Sequence, residues 1–394
     1  MLVRRRTITR TTPISIEREF SLFHPDARAA SRATTNRFIE SLRSRLEQGK
    51  GRYQVVGEVA GNCFEIKICF SNIERVEGEL REAYRAALLE AQRYNLLILG
   101  ISPPSIPNEF NEFFTTKAFP AVKGFLGKTN SIHIHVGGYS EQELVLRYRV
   151  GNMLAPLLLD LSQSSIVEGI ERGRAVSLSR FVQGVPQVLT TPWTIRSFSE
   201  YYQMAELARR EVEEYIRKNG NGNAEVLCRD YPAFARMNGN GIEILQISPD
   251  KIFHFARLRP DMKVQEKGLR GSVELRTLDG QATIGRDLGM IEVALGSLAH
   301  LERYDTGEAL NETDIRGIER DIYDATQPWN ISRIGRAMEL IRNARMGLGI
   351  LEIEGKHIPE VSRVVISPGY EEYAHMSDRQ IVLHSAEQFA NSVG

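Results

Sequence analysis

The sequence predicts an α+β fold in which an antiparallel sheet is backed by helices, and three observations lead there. Four short segments, 14–22, 64–70, 131–136 and 272–278, place apolar side chains at alternate positions with charged or imidazole groups between them, the period of a half-buried strand. Longer stretches instead repeat apolar residues at helical spacing behind Ser-x-x-Glu capping boxes. These elements do not follow a strict β-α-β order, which argues against a doubly wound parallel sheet.

Taken in order, the first strand, Ile14-Ser-Ile-Glu-Arg-Glu-Phe-Ser-Leu22, is followed by a polar, partly helical stretch over 26–48. A strand pair over 53–60 and 63–70 turns at Gly61-Asn62, with Glu58 and Glu65 on either side of the turn. Ser71-Asn-Ile-Glu74 has the form of a capping box, and Ile73, Val76, Leu80, Ala83, Ala87, Ala91 and Tyr94 recur at helical spacing toward Gly100. The run Ser102-Pro-Pro-Ser-Ile-Pro107 cannot continue that helix and leads to the third strand, which ends at Gly137-Gly138. Boxes at Ser140-Glu-Gln-Glu143 and Ser197-Phe-Ser-Glu200 open helices reaching Leu161 and about Lys218. Strands return over 241–248 and 272–278. Beyond Asp279 the chain reads as mainly helical, with helices over 284–303, 313–325, 331–346 and 377–390. Without a repeat or a linker, the expectation is one domain over 1–394 with a helical C-terminal part from about 284.

Bulk composition narrows the function classes. Fifty Lys plus Arg against 50 Asp plus Glu give a net charge of +0, which suggests no nucleic-acid partner. Three cysteines, Cys63, Cys69 and Cys228, form no C-x-x-C pair, so neither a disulfide scaffold nor a thiolate zinc site is expected. The basic start, Met-Leu-Val-Arg-Arg-Arg-Thr, lacks an apolar signal core, and the greasy stretches near Leu96 and Leu157 are too short or too interrupted to span a bilayer. A cytoplasmic protein without a membrane partner is expected.

Chemistry concentrates on the polar side of the four strands. Glu17 and Glu19 lie about 6–7 Å apart along one strand face, a gap that suits a cation. Glu58 and Glu65 can reach the same pocket across their turn. Carboxylates gathered without counter-cations repel one another, so such a cluster implies bound metal, and hard oxygen donors favour Mg²⁺ or Mn²⁺ over zinc. His133 and His135 share a face, as metal ligands or as hydrogen-bonded core residues. Glu274 and Arg276 read as a simple ion pair or, given the planar fork of Arg276, as a phosphoryl contact beside an acid. Metal ions plus an arginine are the usual apparatus of phosphoryl transfer. Gly127-Lys128-Thr129 is no P-loop, because Val122 stands where the first glycine is required.

In order and spacing, Ser15-Ile-Glu17-Arg-Glu19-Phe20, Glu58-x6-Glu65, Gly100-Ile-Ser-Pro103, His133-Ile-His135-Val-Gly137, Gly169 followed by Ser179-Arg180, and Val273-Glu-Leu-Arg-Thr-Leu-Asp279 together resemble the glutamate-cysteine ligase family of carboxylate-amine ligases. The resemblance runs over about 15–300. It implies the catalytic fold of glutamine synthetase and the guanidino kinases, an antiparallel sheet forming a funnel lined by metal-binding carboxylates. It implies that Glu17, Glu19, Glu58, Glu65, His133 and Glu274 bind catalytic Mg²⁺ or Mn²⁺, that Arg276 meets the transferred phosphoryl group beside Glu274, and that Arg180 contributes to binding ATP. The implied reaction passes the γ-phosphoryl of ATP to the side-chain carboxylate of glutamate, and the amine of cysteine then displaces phosphate. No protein nucleophile is needed, and Cys63 reads as structural. The implied partners are small-molecule substrates, and a homo-oligomer is compatible with them.

Departures from the family pattern are Ser15 for a glycine, Ser102 for a histidine, a longer spacing from Gly173 to Ser177 or Ser179 before Arg180, and only an echo of the C-terminal arginine segment in Asn330-Ile-Ser-Arg333-Ile-Gly-Arg336. Three other readings stay in view: the same ligation with a different amine, a metal-dependent hydrolase built on His133, His135 and the surrounding acids, and a non-catalytic nucleotide-binding relative, which these departures motivate.

Overall fold

Along β1 (Ile14–Phe23), Ile14, Ile16, Phe20 and Leu22 enter the core, whereas Ser15, Glu17, Glu19 and Ser21 alternate with them on the opposite face. The computed structural model describes residues 8–47, 52–58, 60–103, 130–162, 166–167, 170–171, 195–219, 235–238, 241–244, 256–260, 269–304, 331–366, 372–373 and 375–393. After β1 the strands are β2 (Tyr53–Gly57), β3 (Cys63–Ser71), β4 (Leu97–Leu99), β5 (Ser131–Gly138), β6 (Ile166–Val167), β7 (Ile170–Glu171), β8 (Ala235–Asn238), β9 (Gly241–Ile244), β10 (Ala256–Pro260) and β11 (Gly271–Asp279). The main sheet is antiparallel, in the order β10-β11-β5-β1-β3-β2, with β4 paired to the last residues of β1. β6 with β7 and β8 with β9 form separate two-stranded ladders.

The helices are α1 (Arg32–Glu47), α2 (Val76–Arg93), α3 (Glu141–Ser162), α4 (Phe198–Asn219), α5 (Ile284–Tyr304), α6 (Ile331–Ile350), α7 (Ile358–Ile366) and α8 (Asp378–Val393). Leu154 and Leu158 of α3, Leu298 of α5 and Leu80 of α2 join Ile16, Phe20, Ile66, Ile134, Val136, Val273 and Leu275 of the sheet in one contiguous core. Each such fully buried aliphatic side chain contributes about 1.5–3 kcal/mol. The helices thus cover the apolar face and leave the charged one to the site. The α+β class and the antiparallel sheet are as the sequence predicts. Among the described residues, no helix is long and apolar enough to cross a membrane.

Helices α5 and α6 meet backbone to backbone. A Cβ added at Gly347 would lie 1.7 Å from the carbonyl oxygen of Gly296, so the pair permits an approach that no larger residue tolerates. Gly347→Ala is expected to cost about 1–3 kcal/mol through overpacking, read as a lower urea midpoint with an unchanged slope; an unaltered midpoint would contradict this packing.

Local differences from the sequence reading have physical causes. The box at Ser71-Asn-Ile-Glu74 does not form, because Ser71 is still the last residue of β3; the chain enters α2 through a 3₁₀ turn over Ile73–Arg75 without a side-chain cap. The helix stops at Arg93 rather than running to Gly100, since Asn95 turns left-handed at φ 52° and Leu97–Leu99 pair with β1. The other two boxes do form: Ser140 Oγ accepts the Glu143 N–H at 3.2 Å, and Ser197 Oγ that of Glu200 at 3.1 Å. Strands β4, β6, β7, β8 and β10 and helix α7 have no counterpart in the sequence reading. The predicted helix over 313–325 and the end of the 241–248 strand lie outside the described residues.

Candidate active site

Strand register brings the site together. Glu17 stands opposite Lys67 of β3 on one side and His133 of β5 on the other, and Glu19 stands opposite Glu65. Glu274 of β11 faces His135 of β5 and, across its other edge, Arg257 of β10. Where β11 pairs β5, Leu275 lies opposite Ile134 but Leu278 lies opposite Ile132, so one extra residue is accommodated at Arg276-Thr277. A bulge of this kind re-aims a side chain and bends the strand beside a site.

His133 is the hub. Its Nδ1 lies 3.4 Å from Glu17 Oε2 and 3.7 Å from Glu274 Oε1, while its Nε2 lies 2.9 Å from Ser131 Oγ. The Ser131 hydroxyl donates to Glu19, so it can only accept from His133. In the neutral ring Nε2 therefore carries the proton, and a bare Nδ1 lone pair faces two carboxylates. Glu17, His133 and Glu274 each place a ligand atom within 4.8 Å of the others, and so do Glu19, Glu65 and His133. In that neutral form the three donors have no proton between them and fit a cation, and their mix of oxygens with one imidazole suits a hard divalent ion.

Charge balance points the same way. Burial raises the Glu65 pKa well above the ordinary carboxylate range, and Glu17, Glu58 and Glu19 push it further against the pull of Lys67. Burial also opposes ionisation of Glu17, but protonated imidazoles at His135 and His133, standing where a bound cation would, outweigh it and hold that carboxyl far below its usual value. The acidic wing on β1 and β3 is thus short of positive charge around Glu65.

On β11 and β10 the balance reverses. Glu274 is 1% exposed and receives three guanidinium groups: Arg259 Nε at 2.7 Å, Arg276 Nε at 3.2 Å and Arg257 Nη1 at 3.7 Å. Burial of Glu274 is overcome by Arg276, His135 and Arg259, and the carboxylate stays ionised. Arg257 is pushed down to about 10, first by burial and then by Arg276 and Arg259 against the pull of Glu274. One face therefore has an acidic wing and a guanidinium wing, joined at His133.

No family profile and no curated protein matches the chain in sequence. Among solved structures, it superposes on glutamate-cysteine ligase from Francisella tularensis in complex with AMP with a TM-score of 0.58 at 13% identity, over 98% of this chain and 90% of that one. It has the glutamate-cysteine ligase fold. A bifunctional glutathione synthetase from Pasteurella multocida gives a TM-score of 0.55 at 11% identity over 98% of this chain, which spans about half (53%) of that protein.

Within this ligase fold, Glu17, Glu19, Glu65, His133, Glu274 and Arg276 converge on one face, as the strand alternation anticipated. Glu58 follows β2, bonds through its N–H to the Cys63 carbonyl at 3.1 Å and adds to the charge felt by Glu65, but it belongs to neither donor triad. Arg180, Gly169 and the serines before Arg180 lie outside the described residues. Two departures from the family pattern have structural roles. Ser15 Oγ donates to the Ile68 carbonyl at 2.7 Å, and Ser102 Oγ donates to Asp279 at 3.0 Å while accepting the Asn130 N–H. Cys63 is buried against Ser21, and burial lifts its thiol to about 12, which keeps it protonated and inert.

The strand alternation puts Lys67 and His135 on the charged face but gives them no role, and sequence reasoning missed Ser131, Arg257 and Arg259 as members of the site. Lys67 pairs with Glu17, and His135 Nε2 lies 3.1 Å from Glu17 Oε1. A signal for the two arginines was present: Ala256-Arg-Leu-Arg-Pro260 alternates apolar and charged residues as the four recognised strands do.

Proposed function

We propose that this protein is an ATP-dependent carboxylate-amine ligase that joins the γ-carboxylate of glutamate to the amine of cysteine through an acyl phosphate. The observation that carries the reading is the division of one sheet face into cation-binding carboxylates and anion-binding guanidinium groups, meeting at His133. The choice of glutamate and cysteine rests on the family resemblance together with the shared fold, and the neighbour's complex with AMP supports a nucleotide substrate.

Glu17, Glu19, Glu65, His133 and Glu274, flanked by Glu58, would hold Mg²⁺ or Mn²⁺, which when bound offsets the negative charge of the phosphoryl oxygens. Arg276 presents a fixed, always charged fork to the γ-phosphoryl group, with Arg257 and Arg259 beside it and Arg180 assigned to ATP by resemblance. The substrate carboxylate attacks the γ-phosphorus and ADP leaves. The amine then attacks the acyl phosphate and inorganic phosphate departs, so no protein nucleophile intervenes. We read 1–394 as one such domain working in the cytoplasm on small molecules.

Purified protein with ATP, Mg²⁺, glutamate and a panel of amines decides the matter. Phosphate release should require metal, glutamate and an amine, and cysteine should give the highest kcat/KM. A better amine would correct the acceptor and leave the ligase; phosphate release indifferent to every amine would sink both.

A further inference from the structure

Lys67 has no role in the reading above, yet its ammonium stands inside the acidic wing. It lies directly opposite Glu17 in the β1–β3 register, and its Nζ bonds to Glu17 Oε1. The other oxygen, Oε2, is the one turned toward His133 Nδ1. One carboxylate is therefore shared between a resident monovalent cation and the donor triad Glu17, His133 and Glu274. Glu65 also feels the charge of Lys67.

We propose that Lys67 is a built-in cation that weakens divalent-ion binding by the acidic wing on its own, so that the metal enters with the phosphates of the nucleotide rather than before them. This rests on the ligase reading for the identity of the anion, but not for the competition at Glu17. An ammonium sharing a carboxylate with an incoming divalent ion repels it at a few ångströms, in surroundings screened far less than bulk water. Polyphosphate oxygens bring negative charge that offsets this repulsion and adds ligands. Lys67 also competes with any second ion for Glu17 Oε1, which His135 Nε2 approaches to 3.1 Å as well.

The test is Mn²⁺ binding followed by electron paramagnetic resonance, without nucleotide and with a non-hydrolysable ATP analogue. Wild-type protein should bind Mn²⁺ weakly alone and much more tightly with the analogue. Lys67→Met, which keeps the stem and removes the charge, should bind Mn²⁺ alone about tenfold tighter or more. Lys67→Arg should behave as wild type. Lys67→Gln gives a second neutral variant, and circular dichroism checks that each is folded. Equal or weaker Mn²⁺ binding in both neutral variants would overturn the proposal while leaving the ligase reading intact. Failure of wild type and all variants to bind Mn²⁺, with or without the analogue, would overturn both.

Discussion

Arg276→Ala is expected to lower phosphate release at saturating substrates about 10³-fold or more, with Mn²⁺ binding retained, because a single well-placed arginine on a transferring phosphoryl group has effects of that order. The expectation follows from where its charge sits. Glu274 is 1% exposed and takes three guanidinium groups, whereas the Arg276 side chain keeps 25% of its surface at the bulge that re-aims it. Removing it leaves Arg257 and Arg259 to balance Glu274, so on the proposed reading that carboxylate stays available to the metal and the loss falls on the phosphoryl group. Arg276→Lys keeps a charge but not the two-pronged fork and should fall between wild type and alanine. Steady-state assays alongside metal titration separate the two effects. Turnover of Arg276→Ala within tenfold of wild type would remove Arg276 from the reaction.

The faces of the sheet were legible in the sequence because a strand has a period of two, and that period sorted Glu17, Glu19, Glu65, His133 and Glu274 together before any pairing was known. Register was not legible. Glu17 meets His133 only because β1 pairs with β5, a contact spanning 116 residues, and no local pattern specifies that neighbour. The roles of Lys67 and His135 follow from register alone, which is why alternation flagged both and explained neither. Within β11 the apolar phase slips, with Val273 and Leu275 followed by Leu278, and the slip records the bulge that a reading of strict alternation passes over. Strand β10 and helix α7 escaped for want of length, though Pro359 in the first turn of α7 is a regular helix-start signal.

Asp287→Ala is expected to destabilise the protein by about 3–5 kcal/mol, because it strands the Arg18 guanidinium in the core. Arg18 lies between Glu17 and Glu19 and so points to the apolar side of β1, where its side chain and that of Asp287 are both 0% exposed and Nε to Oδ2 is 2.9 Å. Burial disfavours the guanidinium charge, and Asp287 more than restores it. The pocket is closed around this pair. A Cβ on Gly280 would lie 2.3 Å from Arg18 Nη1, the guanidinium lies over the Phe20 ring at 4.5 Å, and Tyr84 and the Gln281 N–H also bond to Asp287. Ion pairs this deep contribute little net stability against an apolar pair of similar volume, so Arg18→Met with Asp287→Leu should recover much of the loss seen with Asp287→Ala. Urea unfolding of the three variants measures both claims, and a double variant no more stable than the single one would contradict the second. The double variant also isolates what the pair does for the site. Asp287, in the first turn of α5, ties that helix to the strand bearing Glu17 and Glu19, so a stable apolar replacement that loses turnover would show that Arg18 holds the two carboxylates in place from behind the sheet.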